Sequence, residues 1–299
     1  MKGTEQMQVV GRGMFSKVYR DDGVAIKVID TEFQKAPHSW RAEIRALERL
    51  HHANIVGLLE WHQIDGMDPE AVLKFPYYEF TLESILFSHA KASWPPGSGW
   101  RNALPVASVA QVGVGLAAAL EYIHGNGIMH RDIKPENIMF ATKNDFHPVV
   151  IDFGIAWVPG VGELPKVCDV GTTEYRAIEL LLGDTDYTSA IDMWSMGCVL
   201  AKLLSPSCCG LFGQHDGGGG VHDVQLLYTQ LAVLGMPDPG DAIFPRIRLG
   251  VPEEDHSSSI AELRGLVPEV RALLTIEPSK RATASQIKRM LEACVGVSE

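Results

Sequence analysis

Three polar residues near the middle of the chain have the side chains that phosphoryl transfer requires. Asp132 and Asn137 lie in the sequence His-Arg-Asp-Ile-Lys-Pro-Glu-Asn, and Asp152 begins the sequence Asp-Phe-Gly further along. One carboxylate can accept a hydroxyl proton, while the amide and the second carboxylate can each hold a metal ion. Because the transferred group carries its own negative charge, the protein supplies mainly positioning, metal ions and cations. These motifs therefore predict a phosphoryl-transfer site.

Each motif is short enough to occur by chance when it is taken alone. The two motifs occur here in order, and the apolar residues 149–151 predict a strand directly before Asp152. This combination favours the catalytic interpretation over coincidence.

A glycine-containing turn and a lysine are expected to bind phosphates. Gly11 and Gly13 lie between the first two predicted strands, where small residues let backbone amides approach phosphates, although the turn alone fits an ordinary hairpin equally well. Lys27 on the next strand is costly to bury without an acid, and Glu43 on the following helix is its natural partner. We expect Lys27 to hold the α- and β-phosphates and Glu43 to hold Lys27. The alternative is that both are surface charges.

The composition limits the class of protein. With 299 residues and 46% hydrophobic content, the chain can form a large core in one or two domains. We identify no apolar run long enough to span a bilayer and no signal peptide, so we expect no membrane association. Five cysteines without framework spacing predict reduced thiols, and hence a cytoplasmic or nuclear protein. A net charge of −11 argues against nucleic-acid binding.

The chain divides into a strand-rich and a helix-rich part. Up to about residue 80, β-branched residues predict an antiparallel sheet and apolar spacing predicts one helix over 39–50. The predicted strands cover residues 8–10, 17–19, 24–29, 57–61 and 71–75. The later part predicts helices around the apolar stripe 109–123 and over 190–204, 223–234, 261–274 and 283–294. Loops are expected over 89–105, 205–222 and 246–259, and the second of them contains the glycine run 217–220.

With these motifs and this division, the chain resembles eukaryotic protein kinases from about residue 7 to residue 295. The resemblance implies an α+β, bilobal protein kinase fold, with a small antiparallel-sheet N-lobe that contains one helix and a mainly helical C-lobe. We expect residues 1–80 to form the N-lobe and residues 81–299 the C-lobe, together one kinase domain. The implied cofactors are ATP and Mg²⁺.

The resemblance also implies a role for each motif residue. By it, Asp132 is the catalytic base, Lys134 approaches the transferred phosphoryl group, and Asn137 and Asp152 bind two Mg²⁺ ions. Lys134 in this sequence is typical of serine/threonine kinases. The residues implied around ATP are Val10, Gly11, Gly13, Val18, Ala25, Lys27, Phe75, Tyr77 and Tyr78.

The predicted hinge follows Phe75, which falls at the family's gatekeeper position. Pro76 has no N–H, so the amide and carbonyl of Tyr78 are expected to matter most for adenine. The third glycine position of the phosphate-binding turn carries Ser16, which departs from the family pattern.

Three further residues resemble structural elements of kinases. Glu179 and Arg281 are similar to the ion pair that ties the activation segment to the C-lobe, and Asp192 is similar to the aspartate that braces the catalytic loop. We expect these residues to support the fold rather than the chemistry.

The chain is most similar to the cyclin-dependent and mitogen-activated kinase group (CMGC). The sequence Tyr-Arg-Ala-Ile-Glu-Leu-Leu-Leu-Gly, which begins at Tyr175, differs from that of cyclin-dependent kinases in having Ile178 for proline. Residues 155–157 and 175–179 look most like the fungal kinases that activate cyclin-dependent kinases as single chains. We therefore expect a serine/threonine kinase whose protein substrate is the activation loop of a cyclin-dependent kinase.

The segment after Asp-Phe-Gly departs from that group. It contains no Ser, Thr or Tyr before Thr172, and Val167 occupies the position of the activating threonine. Arg131 would normally bind the phosphate there, so Glu163 or Asp169 is expected to supply another anion unless packing alone holds the loop. We hypothesise that the kinase is active without phosphorylation of this loop.

Two alternatives stay open at this point. The helix with Glu43 lacks the cyclin-binding sequence, which makes cyclin binding doubtful. Gly171 lies near the site that would contact the substrate residue after the phosphoacceptor, so a preference for proline there cannot be assumed. The first alternative is nevertheless a proline-directed or cyclin-dependent kinase of the same group. The second is a pseudokinase that binds partners without catalysis, which only Ser16 and Ile178 favour.

Overall fold

The sheet in the first part of the chain carries the lysine of the predicted nucleotide site. In the computed structural model, which describes residues 7–92, 100–161, 166–212, 223–247 and 258–295, this sheet has five antiparallel strands. They are β1 (Gln8–Arg12), β2 (Ser16–Asp21), β3 (Val24–Asp30), β4 (Glu60–Ile64) and β5 (Glu70–Pro76). Their spatial order is β1-β2-β3-β5-β4. Lys27 therefore lies on the central strand, opposite Val18 and Leu73.

Four of the predicted strands are confirmed, and the position of the strand predicted over 57–61 is wrong. The observed strand β4 begins at Glu60, which pairs with Lys74 of β5. Pairing with β5 sets these bounds, because the ladder runs from Glu60 opposite Lys74 to Ile64 opposite Glu70, and the apolar run before Glu60 only leads into it.

Helix α1 (Trp40–Arg49) is the one helix among the strands of residues 7–76, as the apolar spacing predicts. Ser39 caps it, since its hydroxyl oxygen accepts a hydrogen bond of 3.2 Å from the Ala42 amide. The buried face includes Ile44, Leu47 and also Glu43, whose exposed fraction is only 1%. A buried carboxylate on an otherwise apolar face needs a cation, which the sheet supplies.

The second part is mainly helical. Its helices are α2 (Leu82–His89), α3 (Val106–Gly125), α4 (Ile178–Leu181), α5 (Ala190–Leu204), α6 (Asp223–Leu234), α7 (Ser258–Ala261), α8 (Val267–Leu273) and α9 (Ala284–Val295). Its short strands are β6 (Phe80–Thr81), β7 (Ala90–Ala92), β8 (Trp100–Asn102), β9 (Ile138–Phe140) and β10 (Val149–Val150). Helices α3 and α5 pack in the centre, and α9 covers α3. The two-lobed α+β fold expected above is confirmed.

The helices over 190–204 and 223–234 are confirmed, and so is the capping box that begins α9. The Thr283 amide donates to the Gln286 side chain at 2.8 Å, and the Gln286 amide donates to the Thr283 hydroxyl at 3.4 Å. The single helix predicted over 261–274 is wrong. Leu266 adopts a left-handed φ of 54° after Gly265, whose φ is 127°, so α7 and α8 are separate.

The predicted loops agree only in part with the structure. Residues 89–105 include the hairpin of β7 and β8 instead of being irregular throughout. Residues 213–222, with the glycine run 217–220, and residues 248–257 lie outside the described residues. The division of the chain into lobes at residue 80 stays a prediction.

Helix α3 corrects the expectation that no apolar run is long enough to span a bilayer. Over 20 residues it is long and apolar enough by length and composition, and it is the one such helix in the described part of the chain. The side of the helix that contains Val109, Val112, Leu116 and Leu120 lies in the core, since these residues have no exposed surface. A helix buried in the centre of a protein meets the same criteria of length and hydropathy.

Candidate active site

A cleft of about 480 Å³ separates the sheet from the helical lobe, and its size suits a nucleotide-sized ligand. All of the predicted nucleotide-binding residues line it, and so do Glu43, Asn137 and Asp152. Sequence reasoning missed Met139 and Ile151, which line the same cleft. Both could have been predicted from the sequence, because each is an apolar residue within two positions of a predicted metal ligand.

Lys27 joins the two lobes at the inner end of the cleft. Its ammonium nitrogen lies 2.6 Å from Glu43 Oε1 on α1 and 2.7 Å from Asp152 Oδ1. Burial by itself favours the neutral amine, but the two carboxylates outweigh burial and raise the pKa of Lys27. Burial likewise favours protonated Asp152, but Lys27 and the Gly154 amide lower the pKa of Asp152. A positive ammonium and a negative carboxylate thus face the cleft.

Asp132 is held by groups on both of its carboxylate oxygens. Oδ1 accepts hydrogen bonds from the Thr172 amide and hydroxyl at 3.1 Å and 2.8 Å. Oδ2 accepts from Asn137 Nδ2 at 2.9 Å and lies 2.9 Å from Lys134 Nζ. Lys134 Nζ also donates to the Thr172 hydroxyl at 2.8 Å. The structure therefore brings Asp132, Lys134 and Asn137 together around one carboxylate.

The loop that carries Asp132 is braced from below by Asp192 of α5. Its carboxylate accepts hydrogen bonds from the backbone amides of His130 at 2.9 Å and Arg131 at 2.8 Å, and it lies 2.9 Å from the His124 ring. Burial tends to raise the pKa of Asp192, but its hydrogen bond with His124 and the neighbouring charges lower the pKa overall. The prediction that Asp192 braces the backbone of the catalytic loop is therefore confirmed.

Two non-glycine residues at the site have positive φ. Arg131 has φ 70° and Asp152 has φ 64°. This left-handed backbone conformation costs energy for residues other than glycine. The buried Phe153 ring packs edge-on against the His130 ring, with a centroid distance of 4.8 Å, so Phe153 points into the core while Asp152 points into the cleft.

The hinge offers its polar backbone groups as expected. Pro76 has no N–H, and the Tyr77 amide already donates to the Gly23 carbonyl at 2.8 Å. Tyr78 therefore carries the hinge amide that a ligand can use, and Phe75, 9% exposed, closes the inner end beside it.

The phosphate-binding turn is a tight hairpin between β1 and β2. The Gly13 amide donates to the Ser16 carbonyl at 2.8 Å, and a Cβ atom on Gly13 would lie 2.7 Å from Ser16 Oγ. Phe15 at its tip packs edge-on against His38 at a centroid distance of 5.1 Å.

The start of α1 contacts the Asp-Phe-Gly motif directly. Ser39, which follows His38, donates its amide to the Gly154 carbonyl at 3.0 Å.

The expectation that Asp169 supplies an anion to Arg131 is wrong. Asp169 pairs with Arg176 instead, at 3.0 Å, because that guanidinium lies on its own side of the segment. Arg131 donates to the Ile155 carbonyl at 2.6 Å and to the Tyr187 hydroxyl at 3.0 Å. The other expected anion, Glu163, lies outside the described residues.

Arg176 also fixes the backbone of Gly171, which the resemblance to kinases places near the residue that follows the phosphoacceptor. Its Nη2 donates to the Gly171 carbonyl at 3.1 Å, and its Nη1 lies 3.2 Å from Asp223 Oδ1. Gly171 has φ 73°, and a Cβ atom there would lie 2.6 Å from the Arg131 carbonyl oxygen. Glycine is required at this position because both the φ angle and the close approach exclude a side chain.

The end of the segment is tied to the helical lobe by the predicted ion pair. The Arg281 guanidinium donates to both carboxylate oxygens of Glu179, at 2.8 Å and 3.0 Å, and both side chains are almost fully buried. Bidentate geometry and additional carbonyl acceptors satisfy the buried charges.

The donor atoms in the cleft fit magnesium that is bound together with a nucleotide. Asn137 uses its Nδ2 on Asp132, which leaves its Oδ1 for a metal, and Lys27 contacts only one oxygen of Asp152. Mg²⁺ is usually bound by one or two protein carboxylates together with phosphate oxygens. Consistently, the described residues contain no group of three or more His, Cys, Asp or Glu that would hold a metal alone.

Comparison with known proteins relates this site to one family. The family model described as the protein kinase domain matches residues 4–291. Cyclin-dependent kinase 10 of Homo sapiens is 32% identical over 306 residues, which cover 95% of this chain and 78% of the relative. Its Mus musculus counterpart is 36% identical, over 69% of this chain and 55% of the relative. Protein kinase gsk3 of Schizosaccharomyces pombe is 34% identical, over 66% of this chain and 50% of the relative.

Proposed function

Since the chain belongs to the protein kinase family and is a serine/threonine protein kinase of the CMGC group, we propose the roles of its site residues and the substrates it selects. Its reaction transfers a phosphoryl group from ATP to a protein hydroxyl. One observation carries the proposal that this chain is catalytically active. Lys27 contacts Glu43 and Asp152 simultaneously, while the hydrogen-bonded Asp132 lies in the adjoining pocket, which these three residues also line.

Each charged residue has a separate task in this proposal. Asp132 orients the substrate hydroxyl and accepts its proton, and Lys134 stabilises negative charge on the transferred group. Lys27 holds the α- and β-phosphates, and Glu43 keeps Lys27 in place. Asn137 and Asp152 would hold Mg²⁺, which neutralises phosphate charge when it is bound.

The adenine base of ATP binds at the hinge end of the cleft, through backbone groups and apolar contacts. Tyr78 presents its amide and carbonyl, Tyr77 lies beside it in the hinge, and Phe75 closes the inner end of the cleft. Val10, Val18 and Ala25 line the cleft on the side of the sheet, with Gly11 and Gly13 beyond them towards the phosphates. Burial of the base against these apolar side chains favours binding.

We further propose that the substrate residue after the phosphoacceptor is proline. The Gly171 carbonyl is engaged by Arg176, so it is not free to accept a hydrogen bond from a substrate amide beside it. A buried amide without an acceptor costs about 1 to 3 kcal/mol. Proline has no N–H and avoids this cost. This contact supports the proline-directed alternative, which the sequence alone did not favour.

The competing hypothesis is phosphorylation of the activation loop of cyclin-dependent kinases. It is supported by the likeness of residues 155–157 and 175–179 to single-chain activating kinases, by the segment without a phosphoacceptor before Thr172, and by the helix without a cyclin-binding sequence. The chain spans between 50% and 78% of the length of these relatives, so its substrates and partners are proposed and not taken from them.

One experiment distinguishes these functions. Purified protein from bacteria is incubated with radiolabelled ATP and Mg²⁺, and with three substrates: a catalytically dead cyclin-dependent kinase, a Ser-Pro peptide and the matched Ser-Ala peptide. We expect transfer to the Ser-Pro peptide and none by the Asp152→Asn variant. Transfer confined to the activation-loop threonine would support the competing hypothesis. ATP binding with no transfer to any substrate would identify a pseudokinase and overturn the proposal.

A further inference from the structure

The guanidinium of Arg131 is buried next to the catalytic Asp132 and has only neutral partners among the described residues. It is 5% exposed and donates to the Ile155 carbonyl and the Tyr187 hydroxyl. A buried cation without hydrogen-bond acceptors would be strongly unfavourable. The phenol oxygen of Tyr187 therefore occupies a place where an anion would otherwise be needed.

Tyr187 passes this contact on to the middle of the activation segment. While its oxygen accepts from Arg131 Nη1 at 3.0 Å, its O–H donates to the Val167 carbonyl at 3.1 Å. Its side chain is buried, and burial raises the pKa of Tyr187, so the hydroxyl stays neutral and keeps the proton that it donates. One hydroxyl thus connects the catalytic loop to Val167, which stands where cyclin-dependent kinases have their activating threonine.

Lys166, the neighbour of Val167, adds a second connection. Its ammonium nitrogen donates to the Tyr187 carbonyl at 2.8 Å and lies 5.0 Å from the Trp157 ring centre and 5.4 Å from the Tyr187 ring centre. A lysine at these distances is attracted by the faces of both rings. The cation thus lies between an aromatic residue that precedes it in the segment and one that follows the segment.

Trp157 is itself fixed to the catalytic loop. Its backbone exchanges two hydrogen bonds with Met129, at 2.8 Å and 3.0 Å, in an antiparallel bridge. Because Met129 lies just before His130 and Arg131, the Lys166 cation is anchored to the same loop that carries the catalytic aspartate. The segment is therefore attached to this loop both through Arg131 and through Trp157.

We propose that Tyr187 and Lys166 are positioning residues that hold the activation segment in place without a phosphate. The inference rests on the proposed kinase function and adds how this site is regulated. Arg131, Tyr187 and the Val167 carbonyl form one connection, and Trp157, Lys166 and the Tyr187 ring form the other. Both connections hold Thr172 against Asp132 and Lys134, which aligns the base. No phosphate on this segment is required for activity.

The test uses the full chain, purified from bacteria, treated with phosphatase and shown by mass spectrometry to be free of phosphate. The variants are Tyr187→Phe, which removes one hydroxyl, and Lys166→Met, which removes the cation at similar size. Lys166→Arg keeps a cation over the rings. The matched controls are Tyr228→Phe on α6 and Lys143→Met, since Lys143 lies 5.4 Å from the Phe80 ring away from the segment.

We expect Tyr187→Phe and Lys166→Met each to lower kcat about tenfold while the Kd for ATP stays unchanged, because the interactions lost position the base rather than the nucleotide. Lys166→Arg restores at least half of kcat, and both controls keep the wild-type value. Hydrogen exchange of amides 155–161 and 166–172 is faster in the first two variants. Wild-type kcat and exchange in folded Tyr187→Phe and Lys166→Met would overturn the proposal.

Two other outcomes are informative. If phosphatase silences the wild type and phosphorylation of the segment restores activity, a phosphate is required and the proposal fails although the kinase function stands. If the wild type transfers phosphate to no substrate, the proposed function fails. The exchange measurement needs no activity, so in that case faster exchange in the two variants still supports the connections and unchanged exchange overturns them.

Discussion

Lys27 and Glu43 form an ion pair of 2.6 Å between the central strand of the sheet and the buried face of α1. The pair links two elements of the first part of the chain that line the cleft. Glu43 is 1% exposed, so moving α1 away would separate this carboxylate from its cation and leave Lys27 with Asp152 alone. The position of α1 therefore determines whether Lys27 has both of its carboxylate partners.

Replacement of Lys27 by methionine removes the cation that lies between Glu43 and Asp152. We expect kcat/KM to fall at least about 100-fold, since a preorganised cation in a desolvated site contributes strongly to transition-state stabilisation. Steady-state phosphotransfer to a Ser-Pro peptide measures the change. Lys74→Met is the matched control, because Lys74 lies on the neighbouring strand in a partly exposed pair with Glu60. Full activity of Lys27→Met would disprove the role of this lysine.

Replacement of Arg176 by methionine frees the Gly171 carbonyl. We expect the ratio of kcat/KM for the Ser-Pro peptide over the Ser-Ala peptide to fall about tenfold, because the alanine amide then finds an acceptor. A general loss of activity cancels in this ratio. Arg264→Met serves as control, since Arg264 donates to backbone carbonyls of Leu203 and Leu204 elsewhere. An unchanged ratio would show that the Arg176 contact does not determine the preference.

Separation of Glu179 from Arg281 should destabilise the protein. Arg281→Met leaves a buried carboxylate without its cation, and we expect the free energy of unfolding to fall by about 3 to 5 kcal/mol. Urea denaturation followed by tryptophan fluorescence measures it. Lys288→Met breaks the partly exposed pair with Glu121 and should cost less than about 1 kcal/mol. Equal losses in the two variants would contradict the importance of burial.

Asp192 should make stability depend on acidic pH. Its pKa is lowered in the folded protein, so its contribution is complete above the unfolded value of about 3.9 and is lost as pH falls through the folded value. We compare the free energies of unfolding of wild type and Asp192→Asn from pH 7 to pH 3. Their difference should be constant down to about pH 5 and shrink below about pH 4. A difference that grows on acidification would reverse the assigned direction.

Helices and charged partners with a local pattern were predictable from sequence. Helix α5 has the predicted bounds because its apolar residues continue through every turn, and α1 begins where Ser39 provides a cap. The Glu179–Arg281 pair was predictable only through resemblance, since its partners are 102 positions apart. The predicted roles of the catalytic residues stay proposals that the variants above test.

Conformations fixed by tertiary contacts were not predictable. The break between α7 and α8, by contrast, has a local signal, since Gly265 disfavours a helix interior and Pro268 suits the first turn of a new helix. The partners of Arg131 were not predicted, because its charge favours a carboxylate partner. Tyr187 is neutral and lies 56 positions away in the sequence. The same reasoning assigned Asp169 to the wrong arginine, because the fold decides which cation lies nearest.

The hydrogen bond from the Ser39 amide to the Gly154 carbonyl makes one proton a reporter of the whole site. This amide can exchange with solvent only when the start of α1 separates from the Asp-Phe-Gly motif. A ligand that keeps the lobes together would slow its exchange, and one that displaces the motif would accelerate it. A single assigned resonance would then rank inhibitors by the conformation they select, without any measurement of turnover.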